Sequence, residues 1–474
     1  MATGCVLVLD QGGHASRALV FDPRGRVLAQ AERRIATRRL GALKVEHSAN
    51  AVLRSLLDAA AEAVAALPAG TEVGCAALAT QRSSIVCWDR ETLRPLSPVL
   101  SWQDRRAARK ISALAGHGTR VRRLTGLVLS PHYGATKLAW CIKHVPAARR
   151  AAGEGRLAAG PLASFLAAGL TGQGPGVTDP VNGFRTQLMD LETMDWSAEL
   201  CELFDVPRGV LPRCVANRYD FGALRIAGRH IPLTVVTGDQ PAALFAQGPP
   251  DPRTAYINIG TGAFVQALAD EDVPGLLRSV LWRDADRTLF ALEGTVNGAA
   301  AALDAMAKQR GLDPAKLLRL LPSWLAESRE PPLFLNGVGG LAAPFWQPEF
   351  RTRFVGSGDT PARMTAVVES IAFLLLTNLK RMQDHGLRFT RLRVSGGLSR
   401  LDRLCRRLAS LSGLPVERAE SQEATAMGLA RLAGGLTEAP PLSSARFEPT
   451  VDVALAARQR RWRDALNAAL RTRK

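Results

Sequence analysis

Two carboxylates and a repeated glycine turn are the residues best suited to do chemistry in this chain. Near the N-terminus, Val6-Leu-Val-Leu-Asp10 runs into Gln11-Gly12-Gly13 and is followed by Ala18-Leu-Val-Phe21. In the second half, Ala255-Tyr-Ile-Asn-Ile259 runs into Gly260-Thr261-Gly262, with Phe264-Val-Gln-Ala-Leu268 behind it. Each is an apolar strand, a tight turn and a second strand. Glycine suits a backbone that must turn with positive φ or come close to a ligand. Such turns can aim N–H groups into one space and hold a phosphate; a plain hairpin turn is the bland alternative. One copy in each half suggests two phosphate hairpins facing each other across a cleft.

Asp10 ends a buried strand beside the first turn. It is placed to hold Mg²⁺ through water, or to cap its own turn. Arg17 could reach a phosphate or lie on a strand edge. Asp239 follows the apolar strand Leu233–Thr237 and precedes Pro241, a good first residue for a helix. It is either a helix cap or a general base taking a proton from a hydroxyl, a role worth about 10²–10⁴ in rate. Arg82 and Trp102 could line a polyol site, one by hydrogen bonds and one by an apolar face. Gly396-Gly397 is a third glycine turn. It would let an adenosine lie against the backbone, or let a strand and a helix pack closely. No Gly-x-x-x-x-Gly-Lys-Ser/Thr loop is present, so a nucleotide must be held by the hairpins.

The elements that position these residues follow from apolar patterning and turn signals. Strands are expected at 6–10, 18–21 and 27–34, a helix at 49–67, and strands at 73–79 and 85–89. Trp102 is expected to open a helix running to Leu114. Residues 120–215 read as mixed and mostly helical. The linker Gln247-Gly-Pro-Pro-Asp-Pro252 sets a boundary between domains 1–248 and 249–474. The second half repeats the order of the first, with strands at 255–259, 263–268 and 288–293 and a helix near 297–310. A long helix at 363–384, a strand at 392–395 and helices at 400–411 and 423–432 follow. The basic tail from Ala454 reads as a helix with a solvated face.

The 474 residues are enough for two or three domains. No run reaches the roughly 18 uninterrupted apolar residues of a membrane helix, and no signal peptide is evident. Seven scattered cysteines, with no Cys-x-x-Cys pair, read as reduced thiols of a cytoplasmic protein. The net charge of +18 raises a nucleic-acid partner. The arginines are dispersed and aromatics are only 5%, which argues against one. A positive field also favours small anionic ligands such as nucleotides.

The chain resembles the FGGY carbohydrate kinases over nearly its whole length, and within them the glycerol kinases most. The matching stretches include Leu9-Asp-Gln-Gly12 with Ser16-Arg17, Gln81-Arg82, Trp102-Gln-x-Arg-Arg106, Thr136-Lys137, Gly238-Asp-Gln240, Gly260-Thr-Gly262, Glu369-Ser-Ile-Ala372, Gly396-Gly397 and Glu423-Ala-Thr-Ala-Met-Gly428. The resemblance implies an α/β fold of two actin-like ATPase (ribonuclease H-like) domains around a central cleft. It implies ATP, Mg²⁺ and a small polyol or sugar as ligands, with no membrane partner. Association with further copies is left open. Carried over, Asp10 is the metal-side aspartate and Asp239 the catalytic base. Arg82, Ser83, Trp102, His132, Gln240 and Phe264 occupy substrate-pocket positions. Gly12, Gly13, His14, Ser16 and Arg17 form the first phosphate hairpin; Gly260, Thr261 and Gly262 form the second. Ala300, Asp304, Gly396, Gly397 and Leu401 fall at nucleotide positions.

Departures accompany the resemblance. Gly13 and His14 replace two threonines, Ser83 a glutamate, His132 a pocket tyrosine, and Ser395 an aspartate. Ala300, Asp304 and Leu401 replace a glycine, a glutamine and an asparagine. The expectation is an ATP-dependent polyol or sugar kinase. The alternative is a catalytically weak paralogue that binds nucleotide or polyol in a regulatory role.

Overall fold

The computed structural model describes residues 4–471 except 175, 286, 329, 420–422, 435 and 437–443. The chain forms two compact units. The first contains Met1–Pro250, Ser279–Phe290 and Glu423–Pro441; the second contains Asp251–Arg278, Ala291–Gln422 and Leu442–Lys474.

The first unit is built on a six-stranded sheet. Across it the strands are Ala223–Ile226, Arg229–Gly238, Val73–Thr80, Cys5–Gln11, Ala15–Phe21 and Val27–Arg34. The N-terminal three are antiparallel, as their hairpin spacing implies. Arg229–Gly238, Val73–Thr80 and Cys5–Gln11 run parallel. Val6–Leu9 and Ala76–Ala79 are continuous buried apolar runs, the pattern of parallel strands covered on both faces. The helices Ala49–Ala65 and Leu162–Thr171 share a core with this sheet, where Leu7, Leu56, Leu78 and Phe165 meet. A smaller five-stranded sheet carries Ile85–Asp89.

The helix expected from Trp102 begins only at Ala108 and ends at Ala113. Buried Asp104 is the reason. Its carboxylate accepts the Val45 N–H at 2.7 Å and two bonds from the Arg106 side chain at 2.7 and 3.0 Å. Those bonds hold the segment before Ala108 as a turn instead of a first helical turn.

The sheet of the second unit runs, in order, through strands ending at Val296, Leu268, Ile259, Ser395, Ala419 and Phe447. Its central helix, Thr360–Asp384, starts at Asp359, whose carboxylate accepts the Ala362 N–H at 2.9 Å. By length and mean hydropathy this helix could cross a membrane. In this fold it is the core helix, with Val367, Ile371, Leu375 and Leu379 buried among the apolar residues of the unit. The basic C-terminal helix, Val453–Arg471, is not a wholly solvated face. Leu455, Arg458, Trp462, Leu466 and Ala469 are buried at helical spacing. Residues 472–474 lie outside the described residues. The cysteines are free thiols, all buried except half-buried Cys214.

Candidate active site

Strand register assembles the site of the first unit. Asp10 pairs with Ala79, and Gln11 with Thr80. On the other side of the same strand, Gly238 pairs with Thr80. Asp10, Arg82 and Asp239 therefore leave neighbouring parallel strands at their C-terminal ends, where open α/β sheets bind ligands.

The register also places Arg17 opposite Asp10 across the first hairpin. The Arg17 Nε lies 4.0 Å from Asp10 Oδ2, and its other end pairs with Glu423. Glu423 precedes the helix Ala424–Leu432, which packs on the short helix Asp239–Leu244. A Cβ on Gly428 would lie 1.8 Å from the Ala242 carbonyl oxygen, so the two helices meet at backbone distance because this residue has no side chain. The Thr425 hydroxyl donates to the Asp239 carbonyl at 3.3 Å. Glu423 stands in a stretch that carries the resemblance, but nothing in the sequence assigns it a role of its own. It lies 406 residues from Arg17, and only the fold joins them.

Two other carboxylates thus act on Asp10. Burial, then the charge of Asp239, push the Asp10 carboxyl up to about 7, with Glu423 adding to the rise and Arg17 opposing it. Burial raises Asp239 as well, against the pull of Arg82 and of the Gln240 N–H. The Asp239 carboxylate accepts that N–H at 2.8 Å. It occupies the first helical position, with Gly238 as the cap.

The Asp10 carboxylate is an oxygen donor that fits a hard divalent cation. Among the described residues no three His, Cys, Asp or Glu side chains converge into a metal cage.

The expected substrate residues of the first unit gather beside Asp239. Arg82 is buried and donates to the Gln240 side-chain oxygen at 2.5 Å. A Cβ on Gly238 would lie 2.6 Å from Arg82 Cδ, so glycine makes room for this arginine. Trp102, His132 and Tyr133 form an edge-to-face series with centroids 5.9 and 5.0 Å apart. Buried Lys137 ties the loops together. Its ammonium donates to the carbonyls of Ser83, His132 and Ser101 at 2.6, 2.8 and 3.1 Å.

The first turn closes through the Gly12 N–H to the Ala15 carbonyl at 2.9 Å. A Cβ on Gly13 would lie 3.9 Å from the Trp102 indole nitrogen, so this turn adjoins the substrate residues. His14 is exposed. Ser16 is fully buried and bonds Ser55 at 2.8 Å, so the structure does not bring it to the open end of the site.

In the second unit, the Gly260 and Thr261 carbonyls accept N–H groups of Ala299, Ala300 and Ala301 at the start of the helix Ala300–Gln309. A Cβ on Gly262 would lie 3.0 Å from the Val296 carbonyl. Thr261 is exposed and Phe264 half-buried. Gly396 has φ +88° and meets the Ile259 backbone, while Gly397 opens on space. The first glycine therefore serves packing, and the second leaves room. Ser395 bonds Asn258 at 3.0 Å. Leu401 is buried, Ala300 is half-buried and Asp304 is exposed.

Residues 5–246 match the N-terminal domain, and residues 255–435 the C-terminal domain, of the FGGY family of carbohydrate kinases. Among characterised proteins, the chain is 36% identical to a glycerol kinase of Bordetella parapertussis, over 97% of this chain and 96% of that protein. It is 37% identical to a glycerol kinase of Trichlorobacter lovleyi, over 90% and 89%. The fold is similar to that of Plasmodium falciparum glycerol kinase with ADP, with TM-score 0.88, 22% identity and coverage of 99% and 98%. It is also similar to xylulose kinase from Rhodospirillum rubrum, with TM-score 0.85, 18% identity and coverage of 99% and 98%. The architecture is α/β, with two actin-like, ribonuclease H-like domains. The chain belongs to the FGGY family of carbohydrate kinases and is an ATP-dependent kinase of a polyol or sugar.

Proposed function

We propose that Asp239 is the base of this kinase. It accepts the proton of a substrate hydroxyl, whose oxygen bonds the γ-phosphorus of ATP as ADP leaves. The observation that carries this is the meeting of Asp10, Arg82 and Asp239 at three adjacent strand ends, with Asp10 feeling the charge of Asp239. Arg82 and Gln240 orient the substrate, and Trp102 offers an apolar face. The turns Gly12–His14 and Gly260–Gly262 contact phosphates, together with Arg17. Gly397 contacts adenosine. Asp10 would hold Mg²⁺, which when bound neutralises negative charge on the phosphates. The division at residue 248, a cytoplasmic location and a substrate other than glycerol belong to the same proposal. ADP release from the full chain, screened over polyols, ketoses and aldoses, tests it. Nucleotide binding without turnover of any of them would favour the regulatory paralogue.

The raised value of Asp10 sets a pH dependence. Its folded-state value, about 7, lies above the ordinary carboxyl range, so the unfolded chain releases this proton first. This group therefore weakens the fold as pH rises from about 4 to about 7, and adds nothing further above that. A cation bound to ionised Asp10 favours the charged form. At low Mg²⁺, kcat/KM is expected to fall below about pH 7, and the fall to move to lower pH as Mg²⁺ rises. Rate profiles at two Mg²⁺ concentrations check this; a limb fixed at one pH would remove Asp10 from the metal.

A further inference from the structure

Asp179 is a carboxylate of the first unit that the proposed chemistry does not use. It is 1% exposed, and its bonds come from amides. One oxygen accepts the Asn182 N–H at 3.0 Å and the Asn217 side-chain NH₂ at 3.1 Å. The other accepts the Asn182 side-chain NH₂ at 2.8 Å. Burial pushes this carboxyl up to about 6, against the bonds from Asn182. A buried charge is costly when no cation answers it, and carboxylates raised by burial gather at functional sites.

The two amides are fixed from their other ends. The Asn182 side-chain oxygen accepts the Thr80 hydroxyl at 3.2 Å, and that of Asn217 accepts the Arg283 N–H at 2.8 Å. Each therefore turns its NH₂ toward Asp179, and the Asn217 NH₂ also donates to the Val236 carbonyl at 2.8 Å. Thr80 and Gly238 pair with each other and are the last residues of their parallel strands. Arg82 and Asp239 follow them, beyond the strand ladder. One carboxylate thus ties both strand ends, at Thr80 and at Val236. It also caps the short helix Pro180–Gly183. A Cβ on Gly238 would lie 3.2 Å from Val181 Cγ1 of that helix. The next turn, Phe184–Thr186, carries Arg185, whose charge acts on Asp239.

We propose that Asp179 is a positioning residue of this kinase, holding two strand ends so that Arg82 and Asp239 meet the substrate together. This rests on the reading of Asp239 as the base. Asp179→Asn breaks one link and spares the others. The remaining oxygen still takes the Asn182 N–H and the Asn217 NH₂. The new NH₂ faces the Asn182 NH₂, donor against donor, and the connection to Thr80 is lost. Adding Asn182→Asp mirrors the pair. The NH₂ at position 179 then donates to the carboxylate at position 182, whose other oxygen accepts the Thr80 hydroxyl. Every link again has a donor and an acceptor. Misplacing reacting groups by about 1 Å can cost about 10²-fold in rate, so the single change should be visible in kcat.

The test measures ADP release from full-chain variants, with the compound phosphorylated fastest in the screen above, and thermal unfolding of each. Asp179→Asn is expected to lower kcat about tenfold or more, with the KM for ATP and the unfolding temperature near the parent values. The mirrored pair should return kcat to within about threefold of the parent. Placed on Asp239→Asn, the Asp179→Asn change should cost less than about threefold, because residues that act through one another are not additive. Parent turnover in Asp179→Asn overturns the proposal, and so does a mirrored pair no faster than Asp179→Asn alone. The full loss repeated on Asp239→Asn overturns action through the base. Should Asp179→Asn fail to fold, Thr80→Val removes only the hydroxyl at the end of the network. It should lower kcat in the same direction, and parent turnover there overturns the proposal. Parent turnover in Asp239→Asn overturns the base reading alone, and the mirrored pair then decides the role of Asp179.

Discussion

Asp239→Asn should lower turnover by about 10²- to 10⁴-fold, the usual worth of a positioned general base. Asparagine keeps the shape and retains an oxygen to accept the Gln240 N–H, now held at 2.8 Å, so the helix start survives. What disappears is the proton acceptor and a charge that raises Asp10. Asp10 therefore loses a neighbour that pushes its carboxyl up to about 7, and its pKa should move downward. Two readouts follow. Steady-state ADP release should collapse while ATP binding stays near the parent value. Thermal unfolding near neutral pH should occur at the same temperature or higher, because a buried like-charge contact has gone. A variant that turns over at the parent rate would make Asp239 a purely structural residue. A variant that loses both activity and stability would point to a folding defect instead.

The parts of the site visible in the sequence are those made by local pattern. Asp10 and Asp239 each end an apolar strand beside glycine, and period and turn chemistry mark that arrangement over a few residues. The same logic placed the strands 27–34 and 85–89 at their observed bounds. What was hidden depends on distant partners. Glu423 acquires its place only when its helix packs on the one that begins at Asp239. Ser16 looks like a phosphate contact beside its turn, yet Ser55 claims its hydroxyl. The strand Leu277–Arg283 escaped notice because Leu-Arg-Ser-Val-Leu-Trp-Arg alternates in neither register. The basic C-terminal helix hid an inward arginine among outward ones. Nothing in that stretch announces that a carboxylate waits for it near residue 369.

That carboxylate makes the largest stability prediction. Glu369, on the core helix of the second unit, is 2% exposed. Its two oxygens accept the Arg458 fork at 2.7 and 3.1 Å, and Arg407 Nε approaches at 3.3 Å. Arg407 also donates to the Leu325 carbonyl at 3.0 Å. Although burial pulls the other way, the bonds to Glu369 hold Arg458 above its ordinary value; Arg407, with burial dominant, is lowered. One carboxylate therefore answers two poorly solvated guanidinium groups. Glu369→Ala removes the carboxylate that both share, and removing one partner of such a buried pair costs about 3–5 kcal/mol, a large share of a domain's total stability of about 5–15 kcal/mol. Glu369→Gln keeps the shape and one acceptor, so it should cost less than Glu369→Ala while still falling below the parent. Trp462 reports on the same region, with its indole N–H on the Phe334 carbonyl at 2.9 Å and its ring 5.4 Å from that of Phe373. Urea unfolding followed by tryptophan fluorescence should show the order parent, Glu369→Gln, Glu369→Ala. Since Glu369 lies outside the proposed catalytic set, turnover per folded molecule should change little, the reverse of Asp239→Asn. An Ala variant as resistant to urea as the parent would mean that the two arginines find water or other partners, and that the C-terminal helix is held by Leu455, Trp462 and Leu466 alone.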